Sequence, residues 1–201
     1  MKDYSGTFIV VEGGDGAGTT TQSKKLAKAL DAYWTAEHGA RRDTGGLVGR
    51  KVEEMISSDN YSPEAVALGF AADRMIHLEE DVIPRLEKGD IVVSDRYMYS
   101  SIVYQTVMGA KQEWVETINR YALKPDLTII LDVEADIAMD RVDSRGADGN
   151  IFEDLSFQEK VVLKYRQAAE KNANCIKIDS SRPIEKVFSD IMSEIDSRLS
   201  F

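Results

Sequence analysis

Short apolar runs alternate with longer segments of helical periodicity along the whole chain. Four of these runs are typical of buried parallel strands, at 7–13, 90–96, 126–133 and 175–179. A fifth, short strand is predicted over 39–46. Apolar residues recur at helical spacing between the strands and predict helices at 19–34, 48–57, 62–89, 98–108, 111–122, 134–144, 155–172 and 180–199. This alternation favours right-handed βαβ units, and we expect a three-layer α/β fold with about five parallel strands between helices.

The boundaries of two helices carry their own sequence signals. Ser62 precedes Pro63, which is the usual order of an N-cap and a first helical residue. Pro84 predicts a kink or a new turn within the segment 62–89. Ser180 or Ser181 is the candidate cap of the last helix.

Length and composition limit the class of protein. The chain has 201 residues, which favours a single domain over 1–201, and it contains no run of about 18 apolar residues that would predict a membrane span. Its net charge of -10 argues against binding a nucleic-acid polymer, but not against binding a small anionic ligand. No signal peptide is predicted, and the single cysteine, Cys175, fits a reducing compartment. We therefore expect a cytoplasmic protein.

The stretch GGDGAGTTTQ, residues 13–22, lies between the first predicted strand and the first predicted helix. Gly13, Gly18 and Thr20 have the spacing of the phosphate-loop motif G-x-x-x-x-G-K-[ST], but Thr19 stands at the lysine position. Backbone N–H groups and the helix dipole can hold phosphate without a lysine, and the Thr20 hydroxyl is placed to coordinate Mg²⁺. The stretch predicts a nucleotide site that lacks one positive charge, and the alternative is a glycine-rich turn without a ligand.

An acidic and a basic residue, Asp95 and Arg96, end the next clear strand. Ligands of open α/β folds bind at the carboxyl ends of the strands, so this pair is expected beside the phosphate loop. A carboxylate at that place can hold Mg²⁺ or its waters, and the alternative role for Asp95 is a turn cap. His38 and His77 have no paired ligand in the sequence, and both are predicted to be structural or surface residues.

Several stretches together resemble the thymidylate kinase family, in the nucleoside monophosphate kinase group of P-loop proteins. They are FIVVEGGDGAGTTTQ (8–22), LGFAADR (68–74), VVSDRYMYSSIVYQ (92–105) and KPDLTIILDV (124–133), in the family's order. The resemblance spans nearly the whole chain. It implies transfer of the γ-phosphoryl group of ATP to dTMP with Mg²⁺, a homodimer formed by helices, and a mobile lid at about 141–152.

The resemblance also implies roles for individual residues. ATP contacts are expected from the phosphate loop and an adenine-side loop: Gly13, Gly14, Asp15, Gly16, Ala17, Gly18, Thr19, Thr20, Thr21 and Arg182. Contacts with dTMP are expected from Asp15, Arg42, Phe70, Arg74, Arg96, Ser101, Tyr104 and Gln105. Catalytic roles are expected for Asp15, Asp95, Arg96, Arg141 and Arg145, and metal contacts for Thr20 and Asp95.

Four of these residues are expected to define the acceptor site. Phe70 would stack on thymine and Arg74 would donate to its O4, and the i, i+4 spacing places both on one helix face. Ser101 falls near the base. Tyr104 would lie against the 2′ carbon of the sugar, where its bulk disfavours a ribose hydroxyl.

The chain departs from the family pattern at two places that affect charge. Because Thr19 replaces the lysine, the lid arginines Arg141 and Arg145 are expected to supply the missing positive charge. The family's acceptor loop, T-R-E-P-G-G-T, matches RRDTGGL (41–47) only in part, so Arg41 or Arg50 could take the place of Arg42. Two other functions also stay open: a kinase of another nucleoside monophosphate, and a nucleotide-binding protein without catalysis.

Overall fold

The computed structural model describes residues 4–38, 46–58, 60–144 and 154–199. Its five strands are β1 (Thr7–Gly13), β2 (Tyr33–Ala36), β3 (Ile91–Asp95), β4 (Leu127–Asp132) and β5 (Cys175–Asp179). They form one parallel sheet in the order β2-β3-β1-β4-β5. The predicted α/β fold with a five-stranded parallel sheet is confirmed.

Helices connect these strands and cover both faces of the sheet. The α-helices are α1 (Thr19–Ala29), α2 (Leu47–Ile56), α3 (Pro63–His77), α4 (Ile83–Leu86), α5 (Met98–Val107), α6 (Gln112–Ile118), α7 (Ala135–Asp143), α8 (Leu155–Lys171) and α9 (Ile184–Arg198). A π-helical turn, Leu78–Val82, separates α3 from α4. Pro84 follows this turn and cannot donate to the carbonyl group four residues earlier, so the new turn predicted at Pro84 within the segment 62–89 is confirmed. The N-cap at Ser62 is confirmed, since its side chain accepts from the N–H of Ala65.

The boundary predicted for the first helix needs correction. The first helix ends at Ala29, and Trp34 belongs to the edge strand β2 rather than to the helix predicted over 19–34. The structure has an edge strand at Tyr33–Ala36 that was not predicted from the sequence, and the strand expected at 39–46 lies outside the described part of the chain except for Gly46. A four-residue edge strand gives too short a pattern for its register to be recognised in the sequence.

The predicted cap of the last helix is also wrong. Pro183 occupies the N-cap position of α9, without a side-chain cap. Ser180 instead donates its N–H to the carbonyl oxygen of Asp132, and Ser181 donates to the carboxylate of Asp179. These serines stabilise the turn after β5 rather than the start of the helix.

The central strand β1 divides the core between the two helical layers. Ile9 and Val11 belong to one apolar cluster, whereas Phe8 and Val10 belong to another, as expected for side chains that alternate across a sheet. The register pairs Val11 with Asp95 and Gly13 with Leu131, so the carboxyl ends of β1, β3 and β4 meet at one edge. In the described ranges, no helix combines the length and the apolar character needed to cross a membrane.

Candidate active site

The phosphate loop joins β1 to α1 through residues 14–18. Gly16 and Gly18 have positive φ angles of 79° and 94°, a conformation that glycine adopts with little strain. A Cβ atom on Gly16 would lie 2.1 Å from the carbonyl oxygen of Ala138 in α7. Glycine is therefore required at this position both by the backbone angle and by the close approach of α7.

A single cleft of about 530 Å³ extends from this loop to the predicted acceptor residues. Predicted site residues that line it are Gly14, Asp15, Gly16, Gly18, Thr19, Thr20, Thr21, Phe70, Arg74, Arg96, Ser101, Tyr104 and Gln105. The fold thus gathers the loop, one face of α3 and one face of α5 around a common space. Arg42 and Arg145 lie outside the described residues.

Thr20 and Asp95 lie together at the start of α1. The hydroxyl group of Thr20 donates a 2.6 Å hydrogen bond to Oδ2 of Asp95, which is fully buried at the end of β3. Mg²⁺ is usually held by one or two carboxylates together with substrate phosphates and waters. Within the described residues, no group of three or more His, Cys, Asp or Glu side chains could hold a metal ion by itself. The hydroxyl group of Thr20 and the carboxylate of Asp95 are oxygen ligands of the kind that Mg²⁺ takes.

Arg96 is fixed between the phosphate loop and α5. It has a φ angle of 69°, uncommon for a residue with a side chain, and its N–H bonds to the carbonyl group of Val11. Its guanidinium donates to the carbonyl oxygen of Gly13 at 2.9 Å and to Oδ1 of Asp15 at 2.8 Å. Burial alone would lower the pKa of Arg96, but Tyr104 and Asp15 raise it well above its ordinary value. A permanent positive charge is thus held beside the loop.

Asp15 connects three elements through one carboxylate. While Oδ1 accepts from Arg96, Oδ2 accepts from the phenol of Tyr104 at 2.8 Å and from Nε2 of Gln158 at 3.2 Å. Burial and the adjacent Asp15 raise the pKa of Tyr104, so its phenol stays protonated and acts as a donor. The Tyr104 ring consequently has a fixed position on the wall of the cleft.

Arg74 is almost completely buried, with 1% of its surface exposed, although it lines the cleft. Its guanidinium pairs with Glu37 at 2.7 Å and donates to Oδ1 of Asn119. It also donates to the carbonyl oxygen of Tyr97 and, at 2.9 Å, to the hydroxyl group of Ser101. Burial alone would raise the pKa of Glu37, but the Arg74 guanidinium holds it below its usual range.

Two further predicted site residues, Phe70 and Gln105, line the cleft. The ring of Phe70 meets the ring of His38 edge to face, with centroids 5.8 Å apart. Gln105 is 3% exposed, and its buried Oε1 has no hydrogen-bond partner within the part of the chain that the structure describes. A buried acceptor that lines a cleft is placed to meet a ligand donor. His77, in contrast, is a structural residue, bonded to the hydroxyl group of Thr35 at 2.7 Å.

Arg141 and Arg182 lie on the other side of the phosphate loop. Arg141 donates to the carbonyl oxygen of Gly16 at 3.3 Å and to that of Ser180 at 3.0 Å. Arg182 pairs with Asp179 at 3.1 Å and with Asp190 at 2.7 Å. Arg141 thus links the phosphate loop to the turn after β5, where the adenine-side contacts are expected.

Sequence reasoning missed several residues that hold the site together. Glu12 is fully buried at the end of β1, where it accepts from the N–H groups of Tyr97 and Ser100 and from the hydroxyl group of Tyr165. A glutamate within an apolar strand was the available signal for this role. Glu37, Asn119 and Gln158 had no such signal, because their partners lie 37, 45 and 143 positions away.

Comparison with known proteins agrees with these features. The family model described as thymidylate kinase matches residues 11–191. A probable thymidylate kinase of Methanocaldococcus jannaschii is 43% identical over 187 residues, which cover 92% of this chain and 93% of that relative. Proteins of the same description from Methanococcus maripaludis and Pyrococcus abyssi are 39% and 36% identical, and each comparison covers 96% of this chain and at least 96% of the relative. With this extent of similarity, the chain belongs to the thymidylate kinase family.

Proposed function

We propose that this protein transfers the γ-phosphoryl group of ATP to dTMP, giving ADP and dTDP, with Mg²⁺ as cofactor. The observation that carries the proposal is the single cleft, in which a phosphate loop and an aromatic, arginine-bearing acceptor region face the same space. Two substrates bound at its two ends would bring the acceptor phosphate against the γ-phosphate. Such positioning accounts for much of the catalysis of phosphoryl transfer.

On the donor side, the loop 14–18 and the N-terminus of α1 would cradle the ATP phosphates with backbone N–H groups. Thr20 and Asp95 would hold Mg²⁺, which when bound supplies positive charge to the phosphate oxygens. The turn at 180–183, tied to the loop by Arg141, would border the adenine. Arg182 would lie on the same side.

On the acceptor side, the Phe70 ring would stack on thymine while Arg74 donates to O4. The buried Oε1 of Gln105 would accept from the thymine N3–H, because Gln105 lines the cleft and this oxygen has no hydrogen-bond partner among the described residues. Ser101, whose hydroxyl already accepts from Arg74, would support the arginine and border the base. Tyr104 would pack against the sugar.

In the reaction, an oxygen of the dTMP phosphate would form a bond with the γ-phosphorus, and the bond to the β–γ bridging oxygen would break. A nucleotide phosphate is already ionised at neutral pH, so the attack requires no proton transfer to a protein base. Arg96 would neutralise the charge that develops on the transferring phosphoryl group. Its guanidinium is held in the cleft by hydrogen bonds to Gly13 and to Asp15 of the phosphate loop. Arg145 and Arg42 are further proposed cations, whereas Arg141, bonded to the carbonyl oxygens of Gly16 and Ser180, would position the ATP side of the site.

We also infer the larger arrangement of the enzyme. All five strands belong to one sheet, which supports a single kinase domain over residues 1–201 with its lid at about 141–152. Exposed apolar residues follow one another along α3 at Leu68, Ala72 and Ile76, a helical face that supports a homodimer. The cytoplasm, where nucleotides are abundant, is the proposed location.

A coupled assay of ADP release tests this function. The protein is supplied with ATP, Mg²⁺ and one of dTMP, dUMP, dCMP, dAMP or dGMP. We expect turnover with dTMP that is lost on chelation of Mg²⁺. Preference for another monophosphate would replace the substrate assignment, and ATP binding without turnover of any acceptor would favour a protein that has lost catalysis.

A further inference from the structure

The guanidinium of Arg74 is held by side chains from three separate parts of the fold. Glu37 follows β2, Asn119 follows α6, and Ser101 lies in the first turn of α5. Glu37 forms an ion pair of 2.7 Å with Arg74, and Asn119 and Ser101 accept hydrogen bonds from it. Because Nε, Nη1 and Nη2 each have an acceptor, the plane of the guanidinium cannot turn without breaking several of these contacts.

The ion pair also removes the net charge from this end of the cleft. Glu37 and Arg74 are 4% and 1% exposed, so water screens their attraction little. The neighbouring cleft surface includes the apolar side chains Phe70 and Val66. A neutralised arginine among apolar neighbours is better suited to an uncharged carbonyl group than to a phosphate dianion.

Resting on the proposed function, we propose that Asn119 and Glu37 are positioning residues that make this cleft select a 4-oxo pyrimidine over a 4-amino pyrimidine. An arginine can only donate hydrogen bonds, and the amino group of cytosine also donates. A freely rotating arginine could move away from that amino group. A clamped arginine leaves its own N–H and the amino group of cytosine facing each other without an acceptor. Unpaired buried groups of this kind give strong discrimination between substrates.

Asn119 contacts Arg74 without forming part of the cleft wall. It is 3% exposed and does not line the cleft. Its side-chain nitrogen donates to the carbonyl oxygen of Val115 at 2.8 Å, which directs Oδ1 toward Arg74. Replacing it therefore alters the arginine without removing a surface that a ligand touches.

The chain contains a matched control for this asparagine. Asn172 is the C-cap of α8 as Asn119 is of α6, and its side-chain nitrogen also donates to a carbonyl oxygen four residues earlier at 2.8 Å. Asn172→Ala removes the same helix-end bond away from the cleft. Asn119→Asp removes that bond as well, but keeps an acceptor for Arg74.

The experiment measures kcat/KM for dTMP, dUMP and dCMP on the full-length wild type and on each variant. In Asn119→Ala we expect the dTMP-to-dCMP ratio to fall by about tenfold to a hundredfold, the scale of a hydrogen bond to a charged group. The dTMP-to-dUMP ratio should stay the same, because both bases carry O4. Asn172→Ala and Asn119→Asp should both keep the wild-type ratios. Ratios taken on one preparation are independent of the fraction of folded enzyme.

An unchanged dTMP-to-dCMP ratio in Asn119→Ala would overturn the inference while leaving the kinase assignment intact. An equal change in both ratios would also overturn it, since that result describes general damage to the pocket. If Asn119→Ala does not fold, Glu37→Gln must narrow the same ratio, and failure to do so overturns the proposal. A wild type that turns over none of the three acceptors defeats the proposed function instead.

Discussion

The guanidinium of Arg141 donates a hydrogen bond to the carbonyl oxygen of Gly16, 125 positions earlier in the chain. The same group bonds to the carbonyl oxygens of Ser180 and Ser181, so α7 ties the phosphate loop to the turn after β5. We expect Arg141→Ala to raise the KM for ATP by about tenfold, the scale of one hydrogen bond from a charged group, with little effect on the KM for dTMP. Steady-state kinetics with each substrate varied would measure this.

Arg198→Ala is the control for that variant, because it removes the same charge from the exposed end of α9, where Arg198 pairs with Glu194. A different kinetic result would change the role assigned to Arg141. A large fall in kcat with an unchanged KM for ATP would show that Arg141 acts on the transferring phosphoryl group, as the sequence predicts for a lid arginine.

Thr19, the residue at the usual lysine position, is 5% exposed and lines the cleft at the start of α1. We expect Thr19→Lys to keep activity or raise it, because the loop backbone matches the motif that normally presents a lysine to the phosphates. Thr19→Met has similar length without the charge and should lower kcat/KM for ATP. Equal losses in both variants would show that this loop excludes any long side chain at position 19.

The sequence predicted the parts of this site that depend on local patterns. The strand, glycine loop and helix around 13–22 are contiguous, and the strand that ends at Asp95 is strongly apolar. The order of the strands then brings Asp95 to Thr20 without further information. Periodicity and loop chemistry are local properties, which explains why the sequence alone could place Asp95 beside the phosphate loop.

The residues that hold Arg74 in place could not be predicted from local sequence patterns. Glu37 could not be identified as the partner of Arg74 from the sequence, because the strand expected at 39–46 begins after Glu37. In the structure, Glu37 directly follows β2 and pairs with Arg74. Asn119 lies at the end of a seven-residue helix, where an asparagine is ordinary. Its contact with Arg74 depends on how α6 packs against α3, and no periodic pattern records that packing.

Phe70 is partly buried on α3 and forms part of the cleft wall. Phe70→Ala should weaken dTMP binding by about 1–3 kcal/mol, the value for a base stacked on an aromatic ring, and leave ATP binding nearly unchanged. Calorimetric titration of each ligand would test this. Phe188→Ala, which removes a partly buried ring of α9, should affect neither affinity by as much. Equal weakening of both ligands by Phe70→Ala would identify this ring as a core residue.

The ion pair of Glu37 with Arg74 should make stability depend on acid pH. The pKa of Glu37 lies below its ordinary value of 4.5 in the folded protein, so the unfolded chain binds the proton more readily. The stabilisation is therefore complete above about pH 4.5 and is lost as the pH falls through the folded pKa. Urea unfolding at a series of pH values should show that the difference in unfolding free energy between the wild type and Glu37→Gln decreases in acid.

The exposed pair of Lys51 and Glu54 provides the comparison, since Glu54→Gln removes a carboxylate that solvent screens. This variant should differ little from the wild type at any pH. If the gap between wild type and Glu37→Gln were the same at pH 3 and pH 7, the ionised carboxylate would not be the source of the stabilisation.

Two variants of Tyr104 can distinguish the effect of its hydrogen bond from the effect of its size. Its hydroxyl group donates to Asp15, while its ring lines the cleft where the sugar is proposed to bind. Tyr104→Phe keeps the ring and removes the bond, so we expect a loss in kcat of about tenfold to a hundredfold, the scale of a hydrogen bond to a charged group, with the preference for dTMP over its ribonucleotide unchanged. Tyr104→Ala removes the bulk as well. The deoxy-to-ribo ratio of kcat/KM should then fall by at least about tenfold, because space opens for the 2′-hydroxyl.

If Tyr104→Phe lowered this ratio as much as Tyr104→Ala, the hydrogen bond of the phenol to Asp15 would determine the selection of the sugar. If neither did, the residue that excludes the ribose would lie elsewhere on the cleft wall.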